Sequence, residues 1–392
     1  MLQKSENFLK NKKSLNVLSF SYDWRNIFEN NFDEFVQKME RDRMATEINN
    51  IFCISWSNKN YYKKNNNIST VHLYSPFRHF RVIIDFLLLF IAPIILWKKR
   101  FKPDVIWIRE FPFIWSSLLV KLFFGCQIAI FIGNIPETLI RTRKNSGIRL
   151  FYQHLSEKVG KNLIDYYIAN GEATKKYLLN LGIAESRIKI MTEDIIKRDS
   201  EYILASQKGM IRKKHNIAED KKVLLSVGRL EKEKGFERLL LDFSRLKRSD
   251  LVLIIVGDGI LKGELKNLVK KLNIEEKVIF TGLVSRKEIW NYYQDADLFI
   301  LLSYSEGNPT VFREAMFMEI PVVGSKIDGI IDFIGTDRDR GWLWDKNGGV
   351  EKFNTIINEC LDDNYNKNIV ARAKEYIEKN IKDDYIINDF LY

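Results

Sequence analysis

The stretch LFILLSYSEGNPTVFREAMFMEIPVVGS, residues 298–325, decides how this chain reads. Leu298 to Leu302 is an apolar run of strand length, too short for a helix. It stops at Ser303-Tyr304-Ser305-Glu306-Gly307, a loop at the strand's carboxyl end. Asn308 offers an N-cap, and Pro309 falls at the first helical position, where a missing N–H costs nothing. A helix carrying Glu314 then runs to about Ile320, and Pro321-Val322-Val323 opens the next strand. Strand, loop, helix and strand in this order predict one unit of a doubly wound parallel sheet.

In such sheets ligands bind beyond the carboxyl ends of the strands. A helix start there presents free N–H groups and the positive end of a dipole, both suited to phosphate. Gly307 lets a ligand approach the backbone closely. Glu306 and Glu314 can each accept paired hydrogen bonds from vicinal hydroxyls, such as those of a sugar and a ribose. The same residues also fit an ordinary capped turn with two solvated acids.

Upstream, Val223 to Val227 reads as a strand ending in Gly228-Arg229-Leu230-Glu231-Lys232-Glu233-Lys234-Gly235. The helix after it places Phe236, Leu239, Leu240, Phe243 and Leu246 on one face. Arg229 and Lys234 therefore flank a strand-to-helix loop, where an arginine fork and a compact lysine charge suit phosphate. Leu251 to Val256 and Val278 to Phe280 are further strands, the latter followed by Thr281-Gly282-Leu283.

SEGNPTVFREAMFMEIPVVGS resembles the donor-site signature of the family 4 retaining glycosyltransferases, and the likeness runs from about Val223 to Trp344. The resemblance implies an α/β chain of GT-B fold, two Rossmann-like doubly wound domains facing across a cleft. It implies an acceptor-binding domain over 1–200, a donor-binding domain over 201–372, and a terminal helix over 373–392 returning to the first domain. It implies that Glu306 contacts the donor sugar, that Glu314 holds the ribose hydroxyls, and that Gly307, Asn308, Pro309 and Thr310 meet sugar and distal phosphate. Gly228, Arg229 and Lys234 resemble the family's diphosphate clamp, and Gly282 and Leu283 lie where the family rests the nucleobase. Arg229, Lys234 and Glu306 are thus the expected catalytic set.

The chain has 392 residues, 46% hydrophobic and 29% charged, enough for two domains with their own cores. Three scattered cysteines, Cys53, Cys126 and Cys360, lack metal spacing and suggest a reducing compartment. The first residues contain no apolar run of signal-peptide length. Net charge is +11, yet residues 1–200 hold 31 Lys and Arg against 19 Asp and Glu, a balance of +12. Residues 201–392 hold 31 against 32, a balance of −1. The basic excess belongs to the first half and suggests an anionic membrane surface. No nucleic-acid-binding motif accompanies it.

The first half starts with a strand, Leu15 to Phe20, whose following turn lacks every glycine of a dinucleotide-binding fingerprint. A helix over about 31–44, strands at Ile51 to Ser55 and Val71 to Tyr74, and a polar, Asn-rich loop from Lys59 to Asn67 follow. Val82 to Trp97, VIIDFLLLFIAPIILW, is apolar almost all round and ends in Lys98-Lys99-Arg100. It falls short of the roughly 20 residues a bilayer span needs. A monotopic membrane contact, a core helix and a dimer seam all suit it. Asn134, Glu137 and the Asn170-Gly171-Glu172 loop follow strand ends, and Asn134, Glu137 and Glu172 are the candidate acceptor contacts. The four histidines do not cluster.

Asp295-Ala296-Asp297 and Asp337-Arg338-Asp339 read as structural pairs, so no metal and no cofactor is expected. The expected partners are a nucleotide-sugar, with UDP favoured, a glycan or lipid-linked acceptor of envelope polysaccharide synthesis, and a membrane surface. The expected location is cytoplasmic, peripheral on the inner face of the plasma membrane. Two rivals remain on the residues alone: a scaffold protein on a retired transferase fold, and a nucleotide-sugar epimerase.

Overall fold

The computed structural model describes residues 15–21, 48–57, 61–65, 68–74, 81–108, 111–133, 146–190, 195–345 and 347–380. The chain divides into two compact units, the first built mainly from residues up to Met191 and the second from Thr192 to Asp383.

The first unit holds an eight-stranded sheet: β1 (Leu15–Ser21), β2 (Ile48–Ser57), β3 (Tyr61–Asn65), β4 (Ile68–Tyr74), β5 (Val105–Ile108), β6 (Gln127–Ile132), β7 (Tyr166–Ala169) and β8 (Ile188–Ile190). Its order is β3-β4-β2-β1-β5-β6-β7-β8, and only the β3–β4 pair is antiparallel. Helices α1 (Arg81–Lys98), α2 (Ile114–Phe124), α3 (Ser146–Leu163) and α4 (Glu172–Asn180) follow successive strands. Leu88, Ala92 and Leu96 of α1, Ile114 and Val120 of α2, and Leu178 of α4 close one core over the sheet with Leu18, Ile54, Ile106 and Ile130.

Two expectations for this unit change. The Lys59 to Asn67 stretch contains β3, which pairs Tyr62 with Val71 and Lys64 with Ser69. Its polar composition is that of an edge strand, which buries too little to look apolar. Glu172 is the first residue of α4 and not part of a loop. Asn134, Glu137 and the helix expected near 31–44 lie outside the described residues.

The second unit has a six-stranded parallel sheet of order β11-β10-β9-β12-β13-β14. The strands are β9 (Lys222–Val227), β10 (Leu251–Val256), β11 (Val278–Gly282), β12 (Leu298–Leu301), β13 (Val322–Ser325) and β14 (Trp342–Trp344). All six residues of β10 are buried, as expected for a strand covered on both faces. One core takes α8 (Phe236–Ser244), α9 (Lys262–Lys271) and α13 (Gly349–Cys360). The opposite core takes α7 (Met210–Lys214), α10 (Ile289–Asp295), α11 (Thr310–Phe317), α12 (Asp328–Ile334) and α14 (Asp363–Asn380).

The expected boundary near 197–209 holds α5 (Ile195–Arg198) and α6 (Ser200–Leu204), whose Ile196, Tyr202 and Ile203 pack on the second core. A polar stretch without proline thus conceals two one-turn helices. The terminal helix is one element from Asp363, and its Ala373 and Ile377 are buried in the second unit. The described part therefore belongs to the second unit; residues 381–392 lie outside the described residues.

Candidate active site

The site is assembled at the carboxyl edge of the second sheet, where β9 and β12 are neighbours. After β9 the chain makes a single 3-10 turn, Lys232–Lys234, and passes through Gly235 at φ 66°. A Cβ on Gly235 would lie 1.9 Å from the Leu302 carbonyl oxygen, so both the left-handed backbone and the close approach require glycine. Tyr304 N–H donates to the Glu233 carbonyl at 2.7 Å, joining the loop after β12 to this turn. Arg238, one turn into α8, donates to the Leu302 carbonyl and, at 3.3 Å, to Ser325 Oγ. Its guanidinium stacks 3.8 Å above the Tyr304 ring, and burial lowers its pKa. Gly235→Ala is therefore expected to lower stability by about 2–4 kcal/mol, read as a fall in the urea midpoint; an unchanged midpoint would show that the loop yields freely.

That scaffold brings Lys234 and Glu306 together. Lys234 Nζ lies 2.8 Å from Glu306 Oε1 and 3.0 Å from Oε2, and Ser303 Oγ donates to Oε1 at 2.6 Å. Glu306 is 5% exposed. Its loop is held from below by Gly329 of α12, where a Cβ would meet the Glu306 carbonyl oxygen at 2.1 Å. Arg229 stays at the rim, paired with Glu231 at 2.7 Å and with the buried Glu233 at 3.1 Å. Gly228 N–H is bound to the Val256 carbonyl, so Arg229 leaves the sheet from a fixed backbone position.

Glu314, 1% exposed on α11, accepts from Arg286 at 2.7 Å and from the Tyr293 hydroxyl at 2.6 Å. Arg286 also contacts Asp199 at 2.6 Å. Burial pushes the Asp199 carboxyl upward, but its bonds to Arg198 and Arg286 more than offset that and hold it below the usual range. Burial, and then the Glu314 charge, raise the Tyr293 hydroxyl's pKa, keeping it a donor. Two acids expected to wait for hydroxyls thus each have a cation in place.

One detail of the helix start differs from expectation. Pro309 is the flanking residue, with ψ 103°, and the helix begins at Thr310, so Asn308 is not its N-cap. The extended Pro309 moves the first free N–H groups one residue along the chain. Gly307 is buried in the same loop. Gly282 closes β11 at φ 74°, and Leu283 beside it is 80% exposed. Of the acceptor candidates, Glu172 is described, and it is exposed.

Neither Asp-x-Asp pair is an open chelate. Asp295 accepts from the Ile211 N–H at 2.7 Å and the Arg212 N–H at 3.1 Å, capping α7. Asp297 pairs with Arg212 and accepts from Val223 N–H. Asp337 accepts from Leu343 N–H, and Asp339 pairs with Arg340.

Arg286, Tyr293, Asp199, Ser303 and Arg238 went unnoticed in the sequence. Only Tyr293 carried a signal: a tyrosine deep in an apolar helix needs a partner for its hydroxyl. Arg286, Asp199 and Arg238 reach their partners only in space, and Ser303 meets Glu306 only through the curl of their shared loop.

The family model described as "Glycosyl transferases group 1" matches residues 207–380. The chain is 31% identical over 204 residues to the N-acetylgalactosamine-N,N'-diacetylbacillosaminyl-diphospho-undecaprenol 4-alpha-N-acetylgalactosaminyltransferase of Campylobacter jejuni, a match covering 50% of this chain and 53% of that enzyme. The chain spans about half the length of the curated relatives it matches, from 42% to 53% for the first three. Sucrose-phosphate synthase from Thermosynechococcus elongatus superposes with a TM-score of 0.71 at 15% identity over 96% of both chains. Anabaena HepE in complex with UDP-glucose gives 0.66 at 15% identity over 96% of this chain and 98% of that one. Over residues 207–380 the chain is thus similar to the group 1 glycosyl transferases, and its two α/β units have the GT-B fold.

Proposed function

We propose that the chain transfers a glycosyl group from a nucleotide-sugar, UDP-linked by preference, to a glycan or lipid-linked acceptor of envelope polysaccharide synthesis, with retention of anomeric configuration. The observation that carries this reading is the pairing of half-buried Lys234 with buried Glu306 at the mouth of α11, with Glu314 inside the same helix. A diphosphate suits Lys234, Arg229 and the helix start; a sugar and a ribose suit the two acids. The likeness to a fold solved with UDP-glucose, and the undecaprenyl-linked substrate in the Campylobacter relative's name, support donor and acceptor class respectively. A lipid-linked acceptor puts the working enzyme at the cytoplasmic surface of a bilayer.

In the proposed chemistry the bond between the sugar's anomeric carbon and the diphosphate oxygen breaks, leaving an oxocarbenium-like sugar beside Glu306. Arg229, Lys234 and the amides at the start of α11 stabilise the charge that grows on the diphosphate. The departing phosphate oxygen takes the acceptor hydroxyl's proton on the face it leaves, and the acceptor oxygen bonds to the anomeric carbon there. No enzymic base is required, and the commitments of Asp295, Asp297, Asp337 and Asp339 support a route without metal. Glu172 is the described residue we assign to the acceptor, with Asn134 and Glu137 as the others.

A thermal-shift panel of uridine, guanosine and adenosine diphosphates and their sugars, with and without chelator, tests this. UDP and a UDP-sugar should raise the melting midpoint equally with and without EDTA. Silence from every nucleotide sinks the donor site. A preference for another base overturns the uridine assignment, and loss of the shift in EDTA overturns metal independence.

A further inference from the structure

We propose that the outer faces of α1, α2 and α3 form one surface that docks on an anionic lipid bilayer. The inference leans on the proposed acceptor only for a reason to be at a membrane; the surface itself is read from the first unit. Helix α1 buries Leu88, Ala92 and Leu96 in the core, one stripe at four-residue spacing. On its other side Phe90 is 61% exposed, Ile94 53% and Trp97 75%. A helix that covers a sheet and ends at solvent should be polar on that second stripe. Helix α2 adds exposed Leu122 and Phe123, and α3 adds exposed Phe151.

These side chains lie on neighbouring helices. Helices α1 and α2 share the first core, and the Trp115 indole N–H donates to Ser156 Oγ at 3.0 Å, tying α2 to α3. Lys121 of α2 donates to the Leu163 carbonyl at the end of α3 at 2.8 Å. Each helix connects strands that run the same way, so all three run back along the sheet in parallel. Such a breadth of exposed large apolar groups marks an interaction face.

Charge chooses the occupant. Trp97 is followed by exposed Lys98, Lys99, Arg100 and Lys102, and α3 adds exposed Lys158 and Lys161. Among the described side chains of these helices the one acid, Glu157, is buried against Gln153 and Tyr177. Tryptophan beside lysine suits the headgroup boundary, with the ring at the acyl edge and the ammonium among phosphates. A second copy would set the same cations against each other across a two-fold axis. No described helix is long and apolar enough to cross a membrane, so α1 would lie along the surface, about 27 Å of it.

The test is flotation of the full chain with vesicles of phosphatidylglycerol and phosphatidylcholine in equal parts, and with phosphatidylcholine alone. The chain should float with the first and not the second. Phe90→Ser/Trp97→Ser/Phe123→Ser should abolish flotation. Lys98→Glu/Lys102→Glu should weaken it by more than tenfold, at about fivefold per cation lost. All five side chains are exposed, and both variants should keep the nucleotide-induced rise in melting midpoint, which separates this surface from the donor site. No flotation with anionic vesicles, equal flotation with neutral ones, or a dimer on gel filtration that the serine variant dissociates would each overturn the proposal.

Discussion

Lys234→Ala is expected to lower turnover by roughly 10²–10³-fold, because in the proposed reaction the diphosphate loses a preorganised cation as its charge develops. The substitution also leaves Glu306 buried without its partner, and breaking such a pair from one side costs about 3–5 kcal/mol. Rate and stability are separated by removing both charges. Lys234→Met/Glu306→Leu should recover most of the lost stability, since a buried pair replaced by apolar groups of like volume is often neutral. It should remain inactive, since neither sugar nor diphosphate then finds its contact. Urea midpoints and single-turnover rates with a UDP-sugar decide the matter. A double variant with near-normal turnover would reduce the pair to a strut.

Glu314→Ala is expected to abolish binding of the proposed donor at concentrations that saturate the parent protein. In the proposed complex two hydrogen bonds from ribose hydroxyls to a charged acceptor would be lost, each worth about 1.5–3 kcal/mol, which corresponds to a weakening of roughly 10²–10⁴-fold. The alanine also deprives Tyr293 and Arg286 of an acceptor, so folding needs its own control. Glu314→Gln keeps an oxygen for Tyr293 and nearly the same volume, and should fold while binding weakly. Titration calorimetry with UDP measures both variants. Parent-like affinity in the glutamine variant would remove Glu314 from the ribose site.

Much of the second unit was legible because its signals are local. Six short apolar runs end in glycine- or acid-bearing loops, and the Phe236 to Leu246 spacing gave α8 its buried face. Lys234 and Glu306 were each legible as loop residues after a strand, but that β9 and β12 are neighbours, which brings the two side chains together, is seen only in the structure. The partnership of Arg286 with Glu314 was not legible, because 28 residues and a strand separate them and no periodicity links them. The Tyr61–Asn65 strand was hidden for another reason: at a sheet edge, lysine and asparagine serve as well as valine. For Val82 to Trp97 the apolar pattern was visible, but only the packing of Leu88, Ala92 and Leu96 divides it into an inner and an outer stripe.

The contact between Lys234 and Glu306 has a bearing on what the site prefers to hold. An incoming diphosphate that lures the lysine away strands a carboxylate in a dry place, unless sugar hydroxyls arrive with it to take over. Whole donor satisfies both charges at once, whereas the spent nucleotide satisfies one and abandons the other. In the proposed reaction the resting contact would work as a latch that re-forms behind each departing product, favouring its exit over its stay.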